Sequence, residues 1–183
     1  MNHALVIGGT GMLAKVSLWL VNEGYHVSVI GRNTHKMKEL IGLSKDEFLI
    51  TPILVDYRMD EELREQLKLS VKKNGQFDIV VAWVHSIGKN VLNEISQGFS
   101  GTDYPWRLFH VLGSQSNLET VKKQVIKDKN CLYSQVQLGF IIEGQTSRWL
   151  TNEEISNGVI KSIKEDKLVN LIGVLEPAIM RPL

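Results

Sequence analysis

Near its start the chain reads Gly8-Gly9-Thr10-Gly11-Met12-Leu13-Ala14, directly after the apolar run 4–7. Small residues at 8, 11 and 14 let a strand turn sharply into a helix and let the backbone approach a bulky anion. The first N–H groups of a helix are unpaired and carry the positive end of its dipole, so the anion expected there is a pyrophosphate. A glycine turn between a strand and a helix reads as a dinucleotide site, with contacts expected from Gly8, Gly9, Thr10, Gly11, Met12 and Leu13. The next apolar run, 27–30, ends in Gly31-Arg32-Asn33. An acidic residue at that place holds the ribose 2′-hydroxyl of NAD. Here Arg32 stands instead. Its guanidinium can fork onto a 2′-phosphate and stack on adenine, and Asn33 can add an N–H contact. The two signals together predict NADP(H) in preference to NAD(H).

Further along, His85 and Ser86 sit where the fourth strand is expected to leave the sheet, and Ser114 where the fifth does. A histidine with an unperturbed pKa of about 6.5 can donate a proton at neutral pH. Ser114 can hydrogen-bond a carbonyl, or equally cap the following helix, a role for which Ser116 competes. His110 falls inside a strand and reads as a core histidine. Tyr133 falls at the amino end of a strand, away from the expected site. Trp83 and Trp149 can wall a pocket or simply pack. The five histidines do not fall at metal-ligand spacing with carboxylates, so no metal is expected.

Strand and helix signals alternate throughout. Strands are expected at 4–7, 27–30, 50–55, 78–84, 106–112, 133–142 and 168–174. Between them, helices are marked by Leu13, Val16 and Leu20; by Met37, Leu40 and Ile41 behind the N-cap Asn33; and by Leu63, Leu67 and Val71. Residues 91–95 and 117–127 are two further helices. The last carries Ile155, Val159, Ile160 and Ile163 behind the capping box Thr151–Glu154. Pro52 requires the third strand to lie at an edge or a bulge. The expected fold is one α/β domain over 1–183: a Rossmann-type, doubly wound parallel sheet of about seven strands with helices on both faces and right-handed crossovers. Ligands then bind at the carboxyl ends of the strands.

Composition narrows the classes. Lys plus Arg (21) and Asp plus Glu (20) nearly cancel, and 43% of residues are hydrophobic. That argues against disorder and against a nucleic-acid or anionic-membrane partner. The lone Cys131 excludes an intrachain disulfide. The N-terminus shows no basic segment and no cleavage site, so the expected compartment is the cytosol. Homo-oligomerisation is left open.

Residues 4–14 and 25–33, with Val55-Asp56 after the third strand, resemble the short-chain dehydrogenase/reductase superfamily. The resemblance implies that Asp56, with its neighbour Tyr57, meets the adenine. Trp83, Val84 and His85 stand in place of the family's Asn-Asn-Ala-Gly stretch. Ser114 stands in place of its catalytic serine. Thr146 lies where members hold the nicotinamide carboxamide, although their Pro-Gly stretch is absent. The departure is sharp. Four residues beyond Tyr25, Tyr57, Tyr104 and Tyr133 come Val29, Glu61, Leu108 and Gln137, so the family's Tyr-x-x-x-Lys pair does not exist. Missing length is expected around the helices after strands four and five and in the loop after strand six. The resemblance implies an atypical NADP(H)-dependent oxidoreductase reducing a small flavin, quinone or carbonyl acceptor, with His85 and Ser114 as candidate catalytic residues. The alternative is a non-catalytic NADP-binding redox sensor of NmrA-like type.

Overall fold

A computed structural model describes residues 1–84, 90–98, 103–125 and 129–182. Its strands are β1 (His3–Ile7), β2 (His26–Gly31), β3 (Ile50–Leu54), β4 (Ile79–Trp83), β5 (Trp106–Leu112), β6 (Cys131–Leu138), β7 (Phe140–Glu143), β8 (Thr146–Trp149) and β9 (Val169–Ile172). Seven form one sheet in the order β3-β2-β1-β4-β5-β6-β9, with every pairing parallel. The central strands are apolar without alternation because both faces are covered. Val6, Val29, Val81 and Val111 face one cluster, and Leu5, Ile30, Val80 and Leu108 the other. Pro52 lies in β3, the edge strand, where a missing donor breaks no ladder.

The helices are α1 (Ala14–Asn22), α2 (Thr34–Gly42), α3 (Asp60–Asn74), α4 (Val91–Gly98), α5 (Leu118–Gln124) and α6 (Asn152–Glu165). Asn33 caps α2, and Thr151 with Glu154 closes a complete capping box on α6. None of the described helices is long and apolar enough to cross a membrane.

Two expectations are corrected. The sixth strand does not run on to residue 142. It stops at Leu138 because Val174 crosses the chain at Gly139, where a Cβ would strike the Val174 backbone. The chain then folds into the antiparallel hairpin β7–β8, turning at Gly144 (φ +64°). The last strand is correspondingly short, ending before Gly173 (φ +78°).

The second correction concerns handedness. Helices α1 and α2 join strands that step one way along the sheet and contribute Leu20 and Leu40 to the first core face. Helices α3 and α4 step the other way and pack on the second face through Leu63 and Ile95. These crossovers share one hand. Helix α6 steps in the second direction yet packs on the first face through Ile155 and Val159, beside α1. Its crossover therefore has the opposite hand, against the strong right-handed preference. Gly158 permits the close seat of α6, since a Cβ there would collide with Ile172 of β9.

Candidate functional site

Strand order reverses at β1, whose neighbours β2 and β4 lead to opposite edges of the sheet. A crevice for a ligand is expected outside the carboxyl ends of these strands. The glycine turn sits there. Gly8 has φ +88°, and its carbonyl accepts the N–H groups of Gly11 and Leu13, both at 3.1 Å. The N–H groups of Thr10 and Met12 find no partner among the described residues, as the start of a helix requires. A Cβ at Gly11 would meet nothing nearer than the Gly8 carbonyl at 4.0 Å, so this glycine faces open space.

The other residues of the turn divide differently from the sequence expectation. Gly9 is a packing glycine: a Cβ there would lie 2.5 Å from Ser17 Oγ and 2.9 Å from Val29. Leu13 is wholly buried in the core, so its side chain cannot reach a ligand. The Met12 side chain packs partly against the same cluster, and its carbonyl accepts the Ser156 hydroxyl of α6 at 2.8 Å. An ion pair between Lys15 and Glu153 adds a second brace from α6. Thr10 rests against the end of β2, its Oγ1 3.3 Å from where a Gly31 Cβ would stand.

Beyond Gly31, the Arg32 side chain is 65% exposed, with Nη1 3.4 Å from Asp56 Oδ2. Asp56 Oδ1 also accepts the Arg58 backbone N–H at 3.1 Å and Nε at 2.9 Å. The Arg58 guanidinium, with Arg32 beside it, holds the Asp56 carboxyl far below the usual carboxylate range. Two guanidinium groups thus surround one carboxylate at the outer end of β2 and β3. Arg58 escaped the sequence reading; its spacing two residues after Asp56 was the available signal. Asn33 Oδ1 is occupied by the Lys36 N–H at 2.9 Å, leaving the amide NH2 for other partners. Tyr57 is half-buried against the second core cluster.

Trp83 ends β4. Its Cβ lies 3.3 Å from the position of a Gly8 Cβ, and its Cη2 3.9 Å from that of a Gly113 Cβ. The indole thus bridges the ends of β1 and β5, and glycine at both positions makes room for it. Val84 packs partly against the second cluster. His85 lies outside the described residues. Ser114 is half-buried in a turn closed by the Ser116 N–H to the Gly113 carbonyl at 3.1 Å. Gln137 Nε2 donates to the Ser114 carbonyl at 3.3 Å and to that of Ser116 at 2.9 Å. Asn117, not either serine, caps α5. Among the described residues the Ser114 hydroxyl has no partner. Thr146 is exposed on the hairpin, and its hydroxyl donates to the Glu143 carbonyl at 3.0 Å. The hairpin is tied to α6 by Arg148, which holds Glu154 at 2.9 Å.

A cavity of about 560 Å³ adjoins Trp83, Val84, Gly113 and Ser116, between α4 and α5. His110 of β5 lies in its wall, 6% exposed, with Nδ1 2.9 Å from the Tyr133 hydroxyl. Burial lowers the His110 pKa from 6.5 to about 4, so the ring is neutral. A second cavity, about 450 Å³, lies between α3 and α4. It reaches Gln76 and Phe77, at the amino end of β4, and so lies away from the glycine turn.

No protein-family model matches the sequence, and no curated protein matches it. Solved structures do match. ElxO with NADP bound superposes with a TM-score of 0.71 at 16% identity, over 94% of this chain and 97% of that one. A short-chain dehydrogenase from Bacillus anthracis gives 0.70 at 14% identity, over 94% of both chains. The alcohol dehydrogenase of Comamonas testosteroni specific for bulky-bulky ketones gives 0.68 at 11%, over 97% and 88%.

Proposed function

We propose that this chain, which has the fold of the short-chain dehydrogenase/reductases, is an atypical NADP(H)-dependent oxidoreductase that reduces a small acceptor: a flavin, a quinone or a carbonyl compound. The observation that carries this reading is the ligand-facing glycine turn at the strand-order reversal, with Arg32 in place of an acid at the end of β2. That ElxO binds NADP in the same fold supports it.

The residues present fit the cofactor. Open space at Gly11 and the unpartnered N–H groups of Thr10 and Met12 form a cradle for a pyrophosphate at the positive end of α1. Arg32, with Arg58 beside it, holds the 2′-phosphate, and the Asn33 amide adds a donor. Asp56 and Tyr57 border the adenine. Asp56 remains charged and keeps both guanidinium groups in place. Trp83 and Val84 line the nicotinamide end, with Ser114 beside them; His85, the next residue in the chain, remains the candidate proton donor. Gln137 fixes the turn that carries Ser114. Thr146 is the candidate contact for the carboxamide and must exchange its bond to Glu143 to serve. When bound, the cofactor supplies the hydride. The chain supplies position, and positioning alone removes a large part of such a barrier.

The second reading, a non-catalytic redox sensor, is favoured by one feature. Helix α5 has only seven residues and no tyrosine, so nothing in it replaces the absent Tyr-Lys pair. Titration calorimetry tests the cofactor: NADPH should bind at least ten-fold better than NADH, about 1.4 kcal/mol, and Arg32→Ala should erase most of that preference. Equal affinities in the unaltered protein would refute the NADP assignment. NADPH oxidation with a panel of flavins, quinones and carbonyl compounds then separates enzyme from sensor. Binding without turnover of any acceptor selects the sensor.

A further inference from the structure

The 450 Å³ cavity between α3 and α4 has the size of a small-molecule site and lies towards the amino end of β4, away from the glycine turn. It arises from a mismatch in helix length. Helix α3 has 15 residues and α4 has eight. The pairing of Arg64 with Glu94 sets α4 level with the first half of α3. Helix α4 therefore gives out while the apolar stripe of α3 continues. Along that stripe Leu63 is fully buried, Leu67 is 8% exposed and Val71 is only half-buried. Leu67, Val71, Phe77 and Ile95 make the floor of the space that results.

The rim is cationic. Arg64, Lys68 and Lys72 recur every four residues on α3 and all three border the cavity. They are not equivalent. Arg64 forks onto Glu94 of α4, through Nε at 2.8 Å and Nη2 at 3.0 Å. That fork holds the Glu94 carboxyl below its ordinary range, so the two groups cancel. Among the described residues neither Lys68 nor Lys72 has an ion-pair partner. The segments flanking α4 in the chain, 85–89 and 99–102, contain no Asp or Glu in the sequence. Lys72 also complements the dipole at the end of α3, but Lys68 lies before the last turn and has no such role. Two ammonium groups without counter-charge thus stand over an apolar floor. A lysine lays its methylene stem along such a floor and keeps its head at the edge. A cation is repelled there, and a compact hydrophilic anion leaves the floor uncovered.

We propose that this cavity binds a free, single-chain anionic amphiphile of the long-chain carboxylate class. Its hydrocarbon chain covers Leu67, Val71, Phe77 and Ile95, and its carboxylate sits between Lys68 and Lys72. Burial of the chain supplies affinity, and the two ammonium groups supply the choice of charge. The site is separate from the proposed cofactor site and does not depend on the chain being a reductase.

The test titrates laurate, below its micelle concentration, into the intact protein. Butyrate keeps the head and loses most of the chain; dodecyltrimethylammonium keeps the chain and reverses the charge. Laurate should bind saturably at one site, and each control at least about ten-fold more weakly. The double variant Lys68→Gln, Lys72→Gln changes only exposed side chains, so it should fold as before. It should bind laurate about ten-fold more weakly and keep its NADPH affinity. The charge-reversed pair Lys68→Glu, Lys72→Glu should prefer dodecyltrimethylammonium to laurate. Methyl NMR of the unaltered protein gives a readout independent of any variant: Val71 and Ile95 should shift with laurate, and the Gly11 amide should not. Three results would each overturn the proposal: no saturable laurate binding, shifts confined to the glycine turn, or undiminished affinity in the glutamine pair. Two others would assign the face elsewhere and overturn it equally. One is binding to phosphatidylglycerol vesicles without a site for free laurate. The other is self-association that the glutamine pair abolishes, again without a laurate site. Failure of the reductase reading looks different: laurate binds as described, yet NADPH is never oxidised.

Discussion

Two buried histidines stand at opposite ends of the same sheet. His3, at the amino end of β1, is fully buried. Its Nδ1 donates to the Gly75 carbonyl at 2.8 Å, and its Nε2 meets Ser28 Oγ at 2.8 Å. Ser28 in turn bonds Ser70 at 2.7 Å, and the His3 ring lies against Phe77 with centroids 4.3 Å apart. His110 is almost as buried, and burial lowers both rings to a pKa of about 4. By burial and by titration the two are alike. They differ in hydrogen-bond satisfaction: both nitrogens of His3 are closed by protein, and among the described residues only Nδ1 of His110 is. Burial alone therefore does not separate a structural histidine from a cavity-lining one. The count of occupied nitrogens does.

The strongest way to break this contrast is to remove each ring. His3→Ala should cost roughly 2–4 kcal/mol in chemical denaturation, because Gly75 and Ser28 lose their partner inside the core. His110→Ala should cost clearly less, since among the described residues its ring is bonded through Nδ1 alone, to the Tyr133 hydroxyl. Equal destabilisation by the two would dissolve the distinction.

The same contrast recurs in the glycine turn on a smaller scale. Gly9 faces Ser17, Val29 and Val6, and Gly11 faces open space. Gly9→Val should destabilise the fold by about 1–3 kcal/mol through overpacking. Gly11→Val should keep the far-ultraviolet dichroism and lose the thermal stabilisation that NADPH confers. Stabilisation surviving in Gly11→Val would place the phosphates elsewhere.

Acid gives the gentlest test. Both histidines have a folded pKa below the unfolded value of 6.5, so the unfolded chain takes up protons first. Their contribution to stability is complete above pH 6.5 and is lost as the pH falls towards 4. The unfolding midpoint should decline through that window, and His3→Gln should flatten the decline. A midpoint independent of pH from 6.5 to 4 would show that neither ring is held neutral.

Most of the sheet was legible because its signals are local. Apolar runs marked all seven parallel strands, Asn33 and Thr151 marked helix starts, and Pro52 marked an edge. The hairpin was missed although Gly144 offers the usual glycine-first turn, because Phe140 to Ile142 continues the apolar run of β6. The hand of the α6 crossover was missed because no local pattern encodes which face a helix covers. In the site, the turn and Arg32 were readable from type and position. That Gly9 and the Leu13 side chain pack into the core was not readable, since that depends on what α1 and β2 bring against them.

The sequence by itself determined the glycine turn, the basic end of β2, the alternation of strands and helices and the absence of a Tyr-Lys pair. Each follows from residues a few positions apart, where backbone sterics and side-chain periodicity act. Tertiary structure alone decided that His110 meets Tyr133. The two are 23 residues apart in the chain, and the parallel register of β5 against β6 brings them within 2.9 Å. It alone decided that Arg58 joins Arg32 around Asp56, across the ends of two strands. A proton's place on a buried imidazole is fixed by the atoms that surround the ring, and only the folded chain assembles them.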